Sequence, residues 1–271
     1  MIIIIFIIYI LNFFLFLFFL CYNSKASNKQ VVTIDLDEAS KFVNYFHNRG
    51  QKVICYFSGG TMQKDRKWDY QAYKNAGVGI PGTESPWGNQ YIDIRKKDKL
   101  QPLIRKRMQR ARDLGCDGVE VDSLGVYGHN VAGITKDDCY KFAKWVAETG
   151  HDVGISVGLK NIPALAPSLV DIFDFAVSES CAEYNECKHY TGFTQRNKAV
   201  FMVHYENRGH KLSGSALSKL ISRQGGHGFT CVLSKNRDLD HNCTNYDCNT
   251  GAIRSSGSSS SSSKFLKFYF K

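Results

Sequence analysis

Carboxylate side chains close two of the apolar, β-like segments of this sequence, and their spacing suits acid–base chemistry. In the stretch DGVEVD, residues 117–122, the two-residue period of a strand places Glu120 and Asp122 on one face and the valines on the other. Glu179 closes a second such segment, FAVSE. Two carboxylates from different strands can cleave a glycosidic bond, since one protonates the leaving oxygen while the other attacks the anomeric carbon or activates water. An ion-pair network at the strand ends would give the same pattern.

The elements that must position these residues alternate between strand-like and helix-like periods. The predicted strands are residues 31–36, 53–58, 90–94, 118–123, 153–159, 173–178, 199–205 and 229–233, and the helical patterns are 38–48, 100–114, 136–149 and 215–223. This alternation predicts an α/β fold, a single compact (β/α)8 TIM barrel containing disulfides, with a doubly wound open sheet as the alternative. Thr135 and Asp138 indicate a capping box, and Gly50, Gly115 and Gly150 are predicted left-handed helix caps.

In such a barrel the functional residues lie at the carboxyl ends of the strands. The polar and aromatic residues at these positions define the predicted substrate-binding set, in which the aromatic rings would stack on sugars: Asp35, Tyr56, Asp93, Glu120, Tyr127, Lys160, Asn161 and Tyr205. No cofactor and no metal is expected. His241, Cys243 and Cys248 lack the ligand spacing of a zinc site.

Two motif matches point to other activities. GVGIPG at residues 77–82 fits the dinucleotide fingerprint, but no strand precedes it and Pro81 occupies the start of the required helix. GISVG at residues 154–158 fits a nucleophile elbow, and Asp174 and His204 follow in the order of a serine esterase. The elbow needs a sharp turn at Ser156, whereas the strand pattern continues beyond it. A secreted esterase is therefore an alternative of lower rank.

The two ends of the chain differ from the rest. Residues 2–22 are uncharged, and a small-residue site follows, so residues 1–26 are predicted to be a signal peptide, or an uncleaved membrane anchor. Residues 252–271 form a Ser-rich low-complexity tail, which leaves residues 27–251 as one glycosidase domain. Without the ends the net charge falls from +10 to +5, so the basic composition is no evidence for a nucleic-acid partner. We expect a secreted monomer that acts on polysaccharide and contacts a membrane only if the anchor is retained.

Eight cysteines follow the leader, and this even number favours disulfides over metal binding. Cys181 and Cys187 flank a short loop directly after Glu179, and we predict that they pair. A further predicted pair is Cys231 with Cys243. Asn242 begins the only glycosylation sequon, Asn-Cys-Thr.

Several motifs together resemble glycoside hydrolase family 114. They are VICYFSGGT at 53–61, GCDGVEVD at 115–122 with Tyr127, VGLKN at 157–161, and FDFAVSESC at 173–181 with Tyr184 and Glu186. The resemblance implies a TIM-barrel hydrolase of the endo-α-1,4-polygalactosaminidase type. It places the catalytic Asp at Asp122 and the catalytic Glu at Glu179. We expect Asp122 to be the nucleophile and Glu179 the acid/base, with the pKa of Glu179 raised by its apolar neighbours.

The chain departs from the family pattern around these acids. Ser123 replaces an Asn, Gly125 an Asp, Asn89 a Glu, Tyr91 a Trp and His204 a Glu. These changes favour the main alternative, a barrel that binds carbohydrate without cleaving it.

Overall fold

The computed structural model describes residues 29–129, 131, 133–237 and 243–254. The predicted leader, the sequon residue Asn242 and residues 255–271 of the tail lie outside the described residues. Among the described residues, no helix combines the length and the hydrophobicity needed to cross a bilayer.

The described part of the chain contains ten strands and eight α-helices. The strands are β1 (Val31–Asp35), β2 (Lys52–Ser58), β3 (Thr61–Met62), β4 (Gln90–Tyr91), β5 (Gly118–Asp122), β6 (Ser156–Lys160), β7 (Phe175–Glu179), β8 (Val200–Tyr205), β9 (Thr230–Ser234) and β10 (Thr244–Tyr246). The helices are α1 (Ala39–His47), α2 (Lys67–Asn75), α3 (Lys97–Asp113), α4 (Lys136–Val153), α5 (Ala166–Leu169), α6 (Cys181–Tyr184), α7 (Thr191–Gln195) and α8 (Gly214–Gln224).

Eight of the strands form one sheet in the order β1-β2-β5-β6-β7-β8-β9-β10. The first seven run parallel, and β10 runs antiparallel to β9. The predicted barrel strand at residues 90–94 is therefore wrong. Its first two residues form β4, which pairs with β3 in a separate two-stranded sheet, so that β2 lies directly beside β5. The short antiparallel strand β10, which the sequence analysis missed, takes the eighth place.

The sheet curls into a barrel-like shape around an apolar interior. A cavity of about 120 Å³ inside it is lined by side chains from all eight strands, which is possible only if the sheet curves round on itself. Val31 of β1 and Asn245 of β10 line this same cavity, although no ladder joins these two edge strands in the residues described. The prediction of an α/β fold is thus confirmed, while a hydrogen-bonded closed barrel is not.

The helices between the strands begin and end largely where the sequence predicts. Thr135 and Asp138 form the predicted capping box, and Gly50 and Gly115 have positive φ beyond α1 and α3. Gly150 is a different case, since α4 continues past it to a left-handed cap at Gly154. A Cβ on Gly150 would lie 2.2 Å from a methyl group of Val157, so this glycine permits close helix–sheet packing.

Three disulfides tie the described residues together: Cys55–Cys116, Cys181–Cys187 and Cys231–Cys248. The predicted Cys181–Cys187 bond is confirmed, and the predicted Cys231–Cys243 bond is wrong. The reason is the antiparallel register, in which Cys231 lies opposite Tyr246 and the chain then passes to Cys248. Cys243 precedes β10 and lies toward the other end of β9.

Candidate active site

Both predicted catalytic carboxylates lie at the carboxyl edge of the sheet. Asp122 is the last residue of β5 and Glu179 the last of β7, with β6 between them. Parallel strands bring their carboxyl ends to one rim, so the two side chains face the same cleft. Both are partly exposed, and 28% of the Glu179 side chain is accessible.

Glu179 is held by neighbours on both sides. Nδ2 of Asn161 donates a hydrogen bond to Oε2 at 3.2 Å, the hydroxyl of Tyr205 donates to Oε1, and Nζ of Lys160 lies 3.8 Å from Oε2. Burial alone raises the pKa of Glu179, but the charge of Lys160 and the two hydrogen bonds outweigh it and hold the pKa below its ordinary value. The expected rise in the pKa of Glu179 is therefore wrong, because its carboxylate accepts two hydrogen bonds and lies beside the charge of Lys160.

Asp122 is held by neutral donors. The hydroxyl of Tyr56 donates to Oδ2 at 2.8 Å, and the backbone amide of Ser123 donates to Oδ1 at 2.7 Å. Burial and then the charge of Asp122 raise the pKa of Tyr56 well above its ordinary value, so this hydroxyl remains a donor at neutral pH. Ser123 has a φ of 59°. The chain bends sharply there, directly after the carboxylate.

Glu120 and Lys160 lie deeper and pair with each other. Nζ of Lys160 is 2.5 Å from Oε1 of Glu120, and each side chain is only 3% exposed. Burial opposes the charge on Lys160, but Glu120, Glu179 and Asp122 together raise its pKa. Both side chains are thus almost fully buried and line the cavity inside the sheet, and their substrate-binding role stays a prediction.

Five of the six remaining predicted substrate ligands fall into two groups. Tyr56 donates a hydrogen bond to Asp122, and Asn161 and Tyr205 donate to Glu179, the two predicted catalytic carboxylates. Asp35 and Asp93 are each neutralised by an arginine. Nη2 of the buried Arg66 lies 3.0 Å from Asp35, and Nε of Arg95 lies 2.7 Å from Asp93.

Tyr127 is placed by a 3₁₀ turn, Val126–His129, that follows Asp122. Its ring is half-buried, and its pKa is raised by burial and by the nearby Cys139 and Glu186. Tyr127 therefore lies in the loop layer above the sheet, close to the chain that follows Glu179.

Two contributors to the site were missed by the sequence analysis. Arg237, in the loop after β9, adds a positive charge that lowers the pKa of Glu179. Tyr91 is close enough to Asp122 for the carboxylate to raise the pKa of its hydroxyl, after the larger effect of burial. The available signals were the position of Arg237 three residues beyond a strand end and the resemblance of Tyr91 to the family's Trp.

The loop after Glu179 is fixed by the Cys181–Cys187 disulfide and by His204. Nε2 of His204 accepts a hydrogen bond from the amide of Ala182 at 3.2 Å, and its Nδ1 lies 3.4 Å from the hydroxyl of Tyr246. Burial lowers the pKa of His204 to about 3, so the ring is neutral. Because Nε2 accepts, Nδ1 carries the proton and donates to Tyr246. Where the family has a Glu, this chain uses a histidine as a fixed support.

This geometry excludes the esterase alternative. Asp174 accepts a hydrogen bond from the amide of Val157 at 2.7 Å and pairs with His151 at 2.9 Å, so it does not orient His204. Ser156 is a buried residue at the start of β6 and lies on no exposed elbow.

Ligand atoms of Cys181, Cys187 and His204 lie within 4.8 Å of one another, a spacing that a metal ion could use. Both sulfur atoms are consumed by the disulfide, however, and a disulfide offers no thiolate ligand. We therefore assign this cluster to the support of the loop.

Comparison with known proteins decides the family, since residues 18–251 match the sequence pattern of glycoside hydrolase family 114. The chain belongs to glycoside hydrolase family 114. As a family 114 member it is a glycoside hydrolase. No curated protein matches the chain.

Two solved structures are similar to this chain. The crystal structure of Aspergillus fumigatus Ega3 in complex with galactosamine is similar at 29% identity and a TM-score of 0.68, covering 80% of this chain and 87% of that chain. The glycoside hydrolase domain of PelA from Pseudomonas aeruginosa is similar at 15% identity and a TM-score of 0.60, covering 81% and 92%. At that identity the second likeness concerns the fold alone.

Proposed function

We propose that this protein is a secreted hydrolase that cleaves α-1,4-linked galactosamine polysaccharide with Asp122 and Glu179 as its two catalytic carboxylates. The observation that carries the proposal is the placement of these two accessible acids on one rim, in different electrostatic surroundings. One acid protonates the leaving glycosidic oxygen, and the other attacks the anomeric carbon or activates a water. The role order expected from the sequence depended on a raised pKa at Glu179 and is not retained.

The substrate class is supported by charge and by similarity. The carboxylates of Asp122 and Glu179 attract the ammonium group of a de-acetylated amino sugar, and the related Ega3 structure holds galactosamine. Tyr127 and the exposed ring of Tyr184 offer faces on which sugars can stack, while Tyr56, Asn161 and Tyr205 hold the acids. The cavity lining shared by β1 and β10 supports a barrel closed by side-chain packing beneath the site.

Secretion is supported by the three disulfides, which persist in oxidising compartments. We accordingly propose residues 1–26 as the cleaved leader, residues 27–251 as the catalytic domain and residues 252–271 as a tail. Asn242 is the proposed glycan acceptor. The enzyme acts as a monomer on polysaccharide, without cofactor.

The deciding experiment measures release of reducing ends from galactosaminoglycan in de-acetylated and acetylated forms. The wild type is compared with Asp122→Asn, Glu179→Gln and the control Asp137→Asn, a change at a carboxylate of α4 that is 67% exposed. We expect cleavage of the de-acetylated polymer, a loss of at least about 1000-fold in both site variants, and none in the control. The anomer formed first, observed by NMR, distinguishes retention from inversion.

Full activity in either site variant would remove that acid from the mechanism. Binding of the polymer without product in the wild type would support the non-catalytic barrel instead. Cleavage of only the acetylated polymer would refute the proposed substrate.

A further inference from the structure

Three large apolar side chains are exposed in the described part of the chain, and two of them belong to loops around the acids. These two are Trp87, 42% exposed, and Tyr184, 58% exposed, while the third, Ile253, pairs with the last residue of β10. A single exposed apolar residue needs no explanation. An aromatic ring on each side of a sugar-cleaving site does need one, and Trp87 has no role yet in the proposed function.

The ribbon of β3 and β4 places Trp87 on the Asp122 side of the cleft. The amide of Gly59 donates to the backbone oxygen of Asp122 at 2.8 Å, so the chain enters β3 beside this acid. Thr61 of β3 pairs with Tyr91 of β4, and the pKa of Tyr91 is raised by burial and then by the nearby charge of Asp122. Trp87 is four residues before Tyr91, and four residues of chain span at most about 14 Å.

Tyr184 lies on the other side of the two acids. It is the last residue of α6, five residues after Glu179, and α6 packs against β8. In the sheet order β2-β5-β6-β7-β8, the ribbon that follows β2 flanks Asp122, whereas α6 flanks Glu179. A polysaccharide that crosses both acids therefore has one exposed aromatic ring at each side of its path.

The loop that carries Trp87 is ordered by its own hydrogen bonds. The hydroxyl oxygen of Ser85 accepts from the amides of Trp87 at 3.3 Å and Asn89 at 3.2 Å, and the amide of Ser85 donates to the backbone oxygen of Asn89 at 2.8 Å. Oδ1 of Asn89 accepts from the amide of Lys64 at 3.1 Å, which ties the loop to the chain after β3. Because the loop backbone is already fixed, less entropy is lost when a ligand binds to it.

An indole ring suits a polymer of amino sugars in two ways. Its broad apolar face can cover the C–H groups of a sugar, and its π-electrons attract the ammonium group of a de-acetylated residue more strongly than other aromatic rings do. The chain has two further tryptophans. Trp145 is buried, and Arg110 lies over the ring of Trp68 at 4.9 Å from its centroid. Trp87 is thus the tryptophan that a polymer can reach.

We propose that Trp87 is a stacking platform for one sugar of the bound polymer, at a subsite on the Asp122 side of the cleft and across the acids from Tyr184. The indole stacks on a de-acetylated galactosamine residue away from the bond that is cleaved, and so holds the polymer across both acids. The inference rests on the proposed function for the identity of the polymer, but it is independent of the chemical step.

Tryptophan fluorescence tests the contact without turnover. De-acetylated galactosaminoglycan oligomers are titrated into Glu179→Gln, and we expect a saturable change in emission. The same titration of Glu179→Gln with Trp87→Phe should show no change, because Trp68 and Trp145 remain as the emitting residues. The acetylated oligomers, which lack the ammonium group, should give a weaker response than the de-acetylated ones.

Steady-state kinetics test the consequence for cleavage. Trp87→Ala should raise KM for long de-acetylated oligomers by up to about tenfold, with kcat nearly unchanged, and Trp87→Phe should lie closer to wild type because it keeps a ring. The shortest oligomer that is cleaved should show no change in KM, since it does not extend to Trp87. The matched control is Ile253→Ala, because Ile253 is 69% exposed and pairs with Tyr246, beside the start of β9 and away from the rim.

An emission change that persists in the Trp87→Phe background, or a wild-type KM for long oligomers in Trp87→Ala, would overturn the inference. Equal rises of KM in Trp87→Ala and Ile253→Ala would also overturn it, since the loss would not be specific to the site. A wild type that cleaves no polymer, together with a Trp87-dependent emission change, would refute the proposed function and leave the stacking platform intact.

Discussion

Asn161 and Glu179 exchange two hydrogen bonds across the carboxyl ends of β6 and β7. The amide of Glu179 donates to Oδ1 of Asn161 at 2.9 Å, and Nδ2 of Asn161 donates to Oε2 of Glu179 at 3.2 Å. A single side chain therefore fixes both the backbone and the carboxylate of a proposed catalytic residue. Asn161 has a φ of 55°, a conformation that asparagine tolerates better than most residues.

Replacing Asn161 by Asp tests this exchange. The change keeps the shape and the acceptor but removes the donor and adds a negative charge beside Glu179. We expect the pKa of Glu179 to rise, so that the limb of the kcat/KM pH profile that reports Glu179 moves to higher pH. We also expect kcat to fall by about 10- to 100-fold, since positioned donors of this kind contribute a few kcal/mol. Asn185→Asp is the control, because Asn185 also has a positive φ of 59° but lies in the exposed part of the next loop. Equal losses in both variants would contradict the role of Asn161.

The hydroxyl of Tyr56 is expected to orient Asp122. Tyr56→Phe removes the 2.8 Å hydrogen bond to Oδ2 and should lower kcat by about tenfold, the effect of losing one hydrogen bond to a charged group, with little change in KM. Tyr73→Phe is the matched control, because the buried hydroxyl of Tyr73 has no hydrogen-bond partner among the residues that the structure describes. Steady-state kinetics on the de-acetylated polymer and thermal melting of both variants make the comparison. A wild-type kcat in Tyr56→Phe would show that Asp122 is oriented without it.

Two disulfides are expected to differ in what they stabilise. Replacing Cys181 and Cys187 by serine opens a bond across six residues, which costs about 2 kcal/mol on the loop-entropy model, but it loosens the loop behind Glu179. Replacing Cys231 and Cys248 opens a bond across 17 residues, which costs about 3 kcal/mol and lies away from the acids. We expect the first variant to lose more activity and the second to lose more in Tm. The reverse order in either measurement would contradict this division.

His151 makes stability depend on pH. Its hydrogen bond to Asp174 raises the pKa of His151 above the ordinary 6.5, while burial acts in the other direction and is outweighed. The stabilisation is therefore fully present below pH 6.5 and is lost as the pH rises through the higher pKa of the folded state. His151→Gln should lower the free energy of unfolding more at acidic than at alkaline pH, as measured by urea titration. His227→Gln, at a ring that packs against Phe229, serves as the control, and an equal loss at both pH values in His151→Gln would refute the linkage.

Tyr184 is expected to bind a sugar ring of the polymer. Its side chain is 58% exposed, and its hydroxyl accepts a 2.7 Å hydrogen bond from Arg208, which is held by Glu183 at 2.6 Å. The ring is therefore held in place before any sugar arrives. Tyr184→Ala should raise KM for long chains by up to about tenfold, with Tyr184→Phe much closer to wild type, since the ring face supplies the contact. A KM equal to wild type in Tyr184→Ala would exclude this contact.

The sequence predicted the positions of the acids at the strand ends better than the contacts of the residues buried beneath them. The two-residue period places Asp122 and Glu179 at strand ends whatever the neighbouring strands are, so these positions follow from local pattern alone. Glu120 lies on the same face of β5 as Asp122 and is also acidic, yet its side chain is buried against Lys160. That difference depends on how β5 and β6 face each other inside the sheet, which no local period encodes.

Contacts between distant segments, which a local period does not encode, also explain the wrong strand order and the wrong disulfide. Residues 90–94 alternate like a barrel strand, but their first two residues pair with Thr61 and Met62. β10 has only three residues and leaves no detectable period, so the partner of Cys231 could not be predicted. In each case the deciding contact is between segments distant in the chain.

The Cys55–Cys116 bond has a practical consequence for redesign. It joins β2 to Cys116, two residues before β5, with Cα atoms 6.0 Å apart, and the chain between them is an excursion that returns to the same point. The excursion carries β3 and β4, and it passes over the Asp122 side of the rim, where Gly60 lies against Ser123. Most of this excursion is packed into the fold, since Arg66, Tyr73 and Tyr91 are buried, but no residue of the stretch 81–88 is. That stretch is therefore the part whose length and side chains can be exchanged while the tie maintains the spacing of the two ends of the excursion.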